Sequence, residues 1–122
     1  MPTVLVVDDE PAIRRALGKV FARGGMDVVE ANSGRDALEL LATGVAVDAA
    51  VCDVVMPGGS GLDLYDRLTH EAPQLVGHVV FLTGLAHDPA IHGPIEARGV
   101  PLVSKLDDLM IVVDAVRLAL LR

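Results

Sequence analysis

Residues 50–61, AVCDVVMPGGSG, join a short apolar run to a loop rich in proline and glycine, and the carboxylate of Asp53 stands at the junction. Ending a buried segment on a charge costs free energy unless a cation or a reaction uses that charge. The next residues, GLDLYDRLTHEAP, have apolar positions at helical spacing. The stretch therefore predicts a strand, a loop and a helix, with Asp53 at the carboxyl end of the strand.

The same alternation of strand and helix runs through the whole chain. Strands are predicted at residues 3–7, 27–31, 48–52, 78–83 and 101–104, and helices at residues 11–25, 33–44, 61–73, 87–99 and 106–122. Short apolar strands that alternate with helices predict an α/β fold, in which a five-stranded parallel sheet has helices on both faces. Pro94 either kinks the fourth helix or marks a late start for it. Residues 1–122 are expected to form one domain.

Composition narrows the classes of function. Aromatic residues make up only 2% of the chain, which argues against stacking on nucleic-acid bases or sugar rings. The net charge of −7 disfavours direct nucleic-acid binding and is compatible with divalent cations or basic partners. A single cysteine, Cys52, excludes an intramolecular disulfide and is expected to be a small core residue.

The lengths of the apolar runs and the spacing of the histidines give two further expectations. No apolar run approaches the ~20 residues of a membrane span, so we expect a cytoplasmic domain that makes no membrane contact. The four histidines show no spacing typical of metal ligands and are expected at the surface: His70, His78, His87 and His92.

Chemical groups follow four of the five predicted strands. The first strand ends in Asp8 and Asp9, the third in Asp53, the fourth in Thr83, and the fifth in Ser104 and Lys105. The carboxyl ends of parallel strands meet at one edge of the sheet, where functional groups gather. These groups could instead cap helices, end strands or lie solvated at the surface.

Three carboxylates at one edge repel one another and require a counter-charge. Their hard oxygen ligands suit Mg²⁺, and a carboxylate beside Mg²⁺ is a plausible nucleophile that would form an aspartyl phosphate. Lys105 could neutralise phosphoryl oxygens, and Thr83 could donate a hydrogen bond to one of them.

The segments VLVVDDEP, DVVMPGGSG, FLTG and VSK resemble the motifs of response-regulator receiver domains, and the resemblance covers essentially the whole chain. It implies a flavodoxin-like, doubly wound sheet with strand order 2-1-3-4-5. DVVMPGGSG followed by FLTG is similar to receivers fused to histidine kinases, so the domain could form part of a histidine kinase polypeptide.

The resemblance also implies a function for the strand ends. The domain would take a phosphoryl group from the phosphohistidine of a histidine kinase or a histidine phosphotransfer domain. It would not be an enzyme beyond catalysing its own phosphorylation and dephosphorylation. The implied phosphoacceptor is Asp53, with Thr83 and Lys105 contacting the phosphoryl group. The implied Mg²⁺ ligands are Asp9, Asp53 and the main-chain carbonyl of Val55, with Asp8 acting through water. Pro57 and Gly61 would shape the loop after Asp53.

The chain departs from this family pattern near Lys105. Leu106 stands where the family usually has a proline joined through a cis peptide bond, so we expect a trans bond or a reshaped loop. Leu102 replaces the usual aromatic switch residue, and Asp107 replaces a usual phenylalanine. These changes motivate an alternative function, a receiver-like protein-interaction module that does not depend on phosphorylation.

The last helix predicts an exposed apolar surface. Helical spacing places Asp107, Asp114 and Arg117 on one side. Four apolar residues fall on or beside that side: Met110, Ile111, Leu118 and Leu121. They are either ordinary core residues or part of a contact, by self-association or with a partner, through the 87–121 face.

Two enzyme-type classes fit poorly. A haloacid-dehalogenase-like phosphatase normally has a second acid two residues after the nucleophile, where this chain has Val55. A flavin carrier requires a phosphate-binding loop after the first strand, where the acids of DDEP would repel a phosphate.

Overall fold

The computed structural model describes residues 1–57 and 59–122. Its main sheet contains five parallel strands: β1 Thr3–Val7, β2 Asp27–Ala31, β3 Ala49–Asp53, β4 Val79–Thr83 and β5 Leu102–Ser104. Their order across the sheet is β2-β1-β3-β4-β5, which confirms the expected 2-1-3-4-5 topology. Because β1 and β3 are direct neighbours at the centre, the residues that follow them lie side by side.

Five helices cover the two faces of this sheet: α1 Pro11–Arg23, α2 Gly34–Ala42, α3 Gly61–Glu71, α4 Pro89–Ala97 and α5 Leu109–Leu120. The first turns of α2 and α3 are capped by serine side chains. Ser33 Oγ accepts a hydrogen bond from the Asp36 amide, and Ser60 Oγ accepts one from the Asp63 amide.

Alternate residues of each strand enter different cores, as a doubly wound sheet requires. Val4 and Val6 pack with residues of α1 and α5, such as Phe21 and Val116. Leu5 and Val7 belong to the other core, which includes residues of α2, α3 and α4. Strands buried on both faces explain why the sequence shows continuous apolar runs.

Some boundaries differ from the predicted ones. Asp53 is itself the last residue of β3, and α3 ends at Glu71 before a 3₁₀ helix, Pro73–His78, that leads into β4. A two-stranded antiparallel ribbon pairs Val55–Met56 with Gly59–Ser60 in the loop after β3. The late start considered for the fourth helix is wrong, because Asp88 caps α4 at Pro89 and Pro94 lies inside it.

The apolar side of α5 is exposed, as one of the two readings of the sequence expected. Leu118 is 65% and Leu121 83% exposed, and Met110 and Ile111 are each nearly half exposed. Cys52 is buried in the core, as expected. In the part of the chain that the structure describes, no helix is long and apolar enough to cross a membrane.

Candidate functional site

Four acidic side chains meet at the carboxyl edge of the sheet. Asp8, Asp9 and Glu10 follow β1, and Asp53 ends the neighbouring strand β3. Each offers a carboxylate oxygen, and these oxygens all lie within 4.8 Å of one another. Asp8 is only 1% and Asp53 only 4% exposed. Glu10 was not among the predicted site residues, although its position directly after Asp8 and Asp9 was an available signal.

Lys105 brings a positive charge into this acidic cluster. Its Nζ lies 2.9 Å from Asp8 Oδ2, 3.0 Å from Asp53 Oδ2 and 3.0 Å from Glu10 Oε1. The Lys105 amide donates a hydrogen bond to the Thr83 carbonyl, which ties the residue to the end of β4. No cis peptide bond occurs within residues 1–57 and 59–122, so the Lys105–Leu106 bond is trans, which is one of the two expected alternatives. The side chain reaches the cluster without the usual proline.

Thr83 and the loop after Asp53 form the remaining borders of the site. Thr83 is buried, and its Oγ accepts a hydrogen bond from the Leu85 amide at 3.2 Å, which leaves the hydroxyl proton available for donation. The Val55 amide donates to Asp53 Oδ1 at 3.3 Å. The side chains of Val55 and Leu85 are each about half exposed.

Gly61 allows α3 to begin directly against the end of β3. Its amide donates to the Val54 carbonyl at 2.8 Å. A Cβ at this position would overlap the Asp53 carbonyl oxygen and lie 3.1 Å from Cys52 Sγ. Glycine is therefore required by the close approach of two backbone segments.

Arg14 and the Glu10 amide hold the acidic loop after β1. Arg14 Nη1 donates to the Asp8 carbonyl at 2.6 Å, and its Nε pairs with Glu30 of β2 at 3.2 Å. The Glu10 amide donates to Asp8 Oδ1 at 2.9 Å. The Glu10 amide thus orients the Asp8 carboxylate, and Arg14 holds the backbone of the same loop.

The pKa values of the site reflect burial and mutual charge. Burial raises the pKa of the Asp53 carboxyl, and the Asp8 carboxylate raises it further, while Lys105 opposes both effects only in part. Burial lowers the pKa of Lys105, but contacts with Asp8, Glu10 and Asp53 outweigh it, so that this pKa lies above its ordinary range. The lysine is therefore a permanent cation at neutral pH.

The cluster has the chemistry of a divalent-cation site. Asp8 Oδ2 is buried, and its ion pair with Lys105 falls outside hydrogen-bond geometry, so it has no hydrogen-bond partner among the described residues. The cluster contains four carboxylates, and Lys105 supplies one positive charge to three of them, which leaves an excess of negative charge. Oxygen ligands, negative charge and an unsatisfied buried carboxylate fit Mg²⁺.

The structure combines a doubly wound α/β sheet with acids, a hydroxyl and a lysine at its carboxyl edge, and comparison with known proteins identifies the family. The model of the response regulator receiver domain matches residues 4–117. The chain belongs to this family and is a receiver domain of two-component signalling.

Curated relatives place similar domains in longer proteins. A putative transcriptional regulator of Pseudomonas aeruginosa is 37% identical over 112 residues, covering 89% of this chain and 52% of that protein. The sensor kinase CckA of Brucella abortus is 39% identical over 87 residues, covering 70% of this chain and 9% of the kinase. A cyclic di-GMP phosphodiesterase of Thermotoga maritima is 37% identical over 78 residues, covering 64% of this chain and 20% of that protein. This chain spans about half or less of their length.

Solved structures share the fold over nearly the whole chain. The response regulator protein TrrA of Thermotoga maritima, in complex with Mg(2+)-BeF, superposes with a TM-score of 0.82 at 26% identity, covering 98% of this chain and 99% of that chain. The receiver domain of the hybrid histidine kinase CckA superposes with a TM-score of 0.77 at 25% identity, covering 97% of this chain and 98% of that chain.

Proposed function

We propose that the domain accepts a phosphoryl group on Asp53 from the phosphohistidine of a histidine kinase or a histidine phosphotransfer domain, in a Mg²⁺-dependent reaction. One observation carries this proposal: the Asp53 carboxylate is buried at the sheet edge, 3.0 Å from the Lys105 ammonium and within a cluster of acids that fits a divalent cation. The match to the receiver family supports the same function.

The reaction forms an acyl phosphate. A carboxylate oxygen of Asp53 attacks phosphorus while the bond from phosphorus to the histidine nitrogen breaks. That nitrogen keeps the bonding electron pair and takes up a proton. Lys105 pairs with a phosphoryl oxygen, and the Thr83 hydroxyl donates a hydrogen bond to another.

The metal ligands in this proposal are Asp9, Asp53 and the main-chain carbonyl of Val55, with Asp8 acting through water. A Mg²⁺ ion held by these groups would supply charge neutralisation for the phosphoryl oxygens and the carboxylates. The chain's own residues hold the geometry, because Arg14 and the Glu10 amide fix the Asp8 loop.

The domain acts as a substrate of its partner and not as an enzyme on other molecules, since the proposed catalysis covers only its own phosphorylation and dephosphorylation. Similarity to the sensor kinase CckA and to a hybrid-kinase receiver supports a histidine kinase as the phosphoryl donor. It also supports a place for this domain within a histidine kinase chain.

Intact-mass spectrometry tests the proposal. The protein is incubated with Mg²⁺ and phosphoramidate, next to the variants Asp53→Asn and Asp107→Asn. Asp107 is exposed and lies outside the site, so it matches the charge change of the first variant. The wild type and Asp107→Asn should gain one phosphoryl group, and Asp53→Asn none. No gain in the wild type, or a gain that survives in Asp53→Asn, contradicts the proposal.

A phosphorylation-independent interaction module is the second candidate. Leu106, in the loop beside the site, is 86% exposed, and Leu102 occupies the usual aromatic position. Such a module would bind its partner equally well as wild type and as Asp53→Asn, with or without Mg²⁺ and beryllofluoride. A difference between those states favours the phosphoacceptor instead.

A further inference from the structure

The ammonium of Lys105 is surrounded by carboxylates. It has three N–H groups, and three carboxylate oxygens lie 2.9–3.0 Å from it, contributed by Asp8, Glu10 and Asp53. A phosphoryl group on Asp53 would add oxygens that also need a donor. Those oxygens would compete with its present contacts, which are hydrogen bonds to Glu10 and Asp53 and an ion pair with Asp8.

Exposure decides which contact is released. The Glu10 side chain is 57% exposed, so water can replace the lysine around its carboxylate. The side chains of Asp8 and Asp53 are only 1% and 5% exposed. Leaving a buried carboxylate unpaired costs far more than leaving an exposed one. The contact with Glu10 is therefore the weakest of the three.

We propose that Glu10 is a positioning residue that competes with the phosphoryl oxygens for Lys105 and so weakens binding of the phosphoryl group. The inference rests on the proposed function and adds regulation of the same site. While Glu10 holds the lysine, one of the ammonium's hydrogen bonds is directed to the Glu10 carboxylate. Its release lets Lys105 turn fully to the group on Asp53.

The contact itself is tested in metal-free protein by amine labelling. The chain has two lysines, Lys19 and Lys105, and Lys19 is exposed and serves as an internal reference. Trace acetic anhydride is applied to the wild type, Glu10→Gln and Asp107→Asn, and peptide mass spectrometry gives the Lys105-to-Lys19 ratio. Glu10→Gln should raise this ratio, and Asp107→Asn should leave it unchanged. An unchanged ratio in Glu10→Gln overturns the inference.

The competition is tested with beryllofluoride as the phosphoryl probe at saturating Mg²⁺, by titration calorimetry. Glu10→Gln should bind it about two- to fivefold more tightly than the wild type, the size expected for a half-exposed ion pair. Asp107→Asn should match the wild type. In a Lys105→Met background, Glu10→Gln should have no effect, because its action passes through the lysine.

The outcomes separate this inference from the proposed function. Uptake by the wild type with equal affinity in Glu10→Gln overturns the role of Glu10 and leaves the phosphoacceptor intact. An undiminished effect in the Lys105→Met background also overturns it, because Glu10 would then act by direct repulsion. No uptake by the wild type overturns the proposed function and the inference together.

Discussion

At the scale of single residues, the buried carboxylate of Asp53 lowers the free energy of unfolding when it is ionised. Burial and the Asp8 carboxylate raise its pKa above the ordinary value of 3.8. The contribution of Asp53 to the free energy of unfolding is complete when its carboxyl is protonated, at pH values below the pKa that it has in the unfolded chain. This contribution is lost as the pH rises through the pKa of the folded state. Ionised Asp53 therefore weakens the metal-free fold at neutral pH.

Asp53→Asn should consequently be more stable than the wild type in metal-free buffer, and the difference should grow as pH rises from 4 to 7. The expected size is about 1.4 kcal/mol for each unit by which the folded pKa is raised. Urea unfolding at several pH values measures it, with Asp107→Asn as the control. A stability difference that does not change with pH contradicts the prediction.

The close approach at Gly61 makes a second prediction. Gly61→Ala should destabilise the fold by about 1–3 kcal/mol, because the new methyl group would overlap the Asp53 carbonyl. Gly18→Ala is the matched control, since its Cβ would meet nothing within 4 Å inside α1. Alanine there should stabilise the helix by about 0.5–1 kcal/mol. Urea unfolding of both variants checks the opposite signs, and a neutral Gly61→Ala would show that the loop can move aside.

The sequence placed Asp8, Asp9, Asp53, Thr83 and Lys105 at one edge, because each comes at or next to a strand end and parallel strands finish on the same side. The contact of Glu10 with Lys105 escaped prediction for a physical reason. The role of Glu10 comes from the contact with Lys105, 95 positions away, and that contact depends on how the lysine side chain extends from the end of β5.

At the scale of secondary structure, α4 carries an internal proline. Pro94 lacks an amide hydrogen and cannot donate to the residue one turn earlier, which weakens a helix interior. Pro94→Ala should raise the free energy of unfolding by about 1–3 kcal/mol. Urea unfolding gives the size, and slower hydrogen exchange within α4 locates it. Unchanged exchange in α4 would contradict this account.

The main strands and helices were predictable because hydrophobic periodicity and turn residues mark them strongly. The ribbon formed by Val55–Met56 and Gly59–Ser60 could not be predicted, because a strand of two residues is too short to show a hydrophobic period. The 3₁₀ helix Pro73–His78 merged with α3 in the sequence pattern, and only packing separates the two. The conformation of such short elements is determined by packing against neighbouring elements more than by their own sequence.

At the scale of the whole molecule, metal binding should stabilise the fold. A ligand that binds only the folded state adds about 2.7 kcal/mol when its concentration is one hundred times the dissociation constant. Mg²⁺ should therefore raise the melting temperature of the wild type and of Asp107→Asn. Asp9→Asn should show a smaller rise and a weaker Mg²⁺ affinity by calorimetry. An unchanged affinity would show that the assignment of Asp9 as a ligand is wrong.

The exposed apolar side of α5 also belongs to this scale. The sequence left two interpretations open, ordinary core or an exposed surface, because helical spacing places these apolar residues on or beside the side that carries Asp114 and Arg117. The structure confirms the exposure of Met110, Ile111, Leu118 and Leu121. A contact through the 87–121 face stays a prediction, because it also depends on the surface of the molecule that would bind there.

Because Cys52 is buried, the reactivity of its thiol can report local opening of the structure around it. Its thiol lies beneath Gly61 and donates to the Asp53 carbonyl, and burial raises its pKa. An aromatic disulfide reagent can reach this buried sulfur only when the contact between β3 and the start of α3 opens, so the reaction rate reports how often that opening occurs. A bound cation or phosphoryl mimic that stabilises this contact should slow the reaction. The single native cysteine can therefore report ligand binding without an added label.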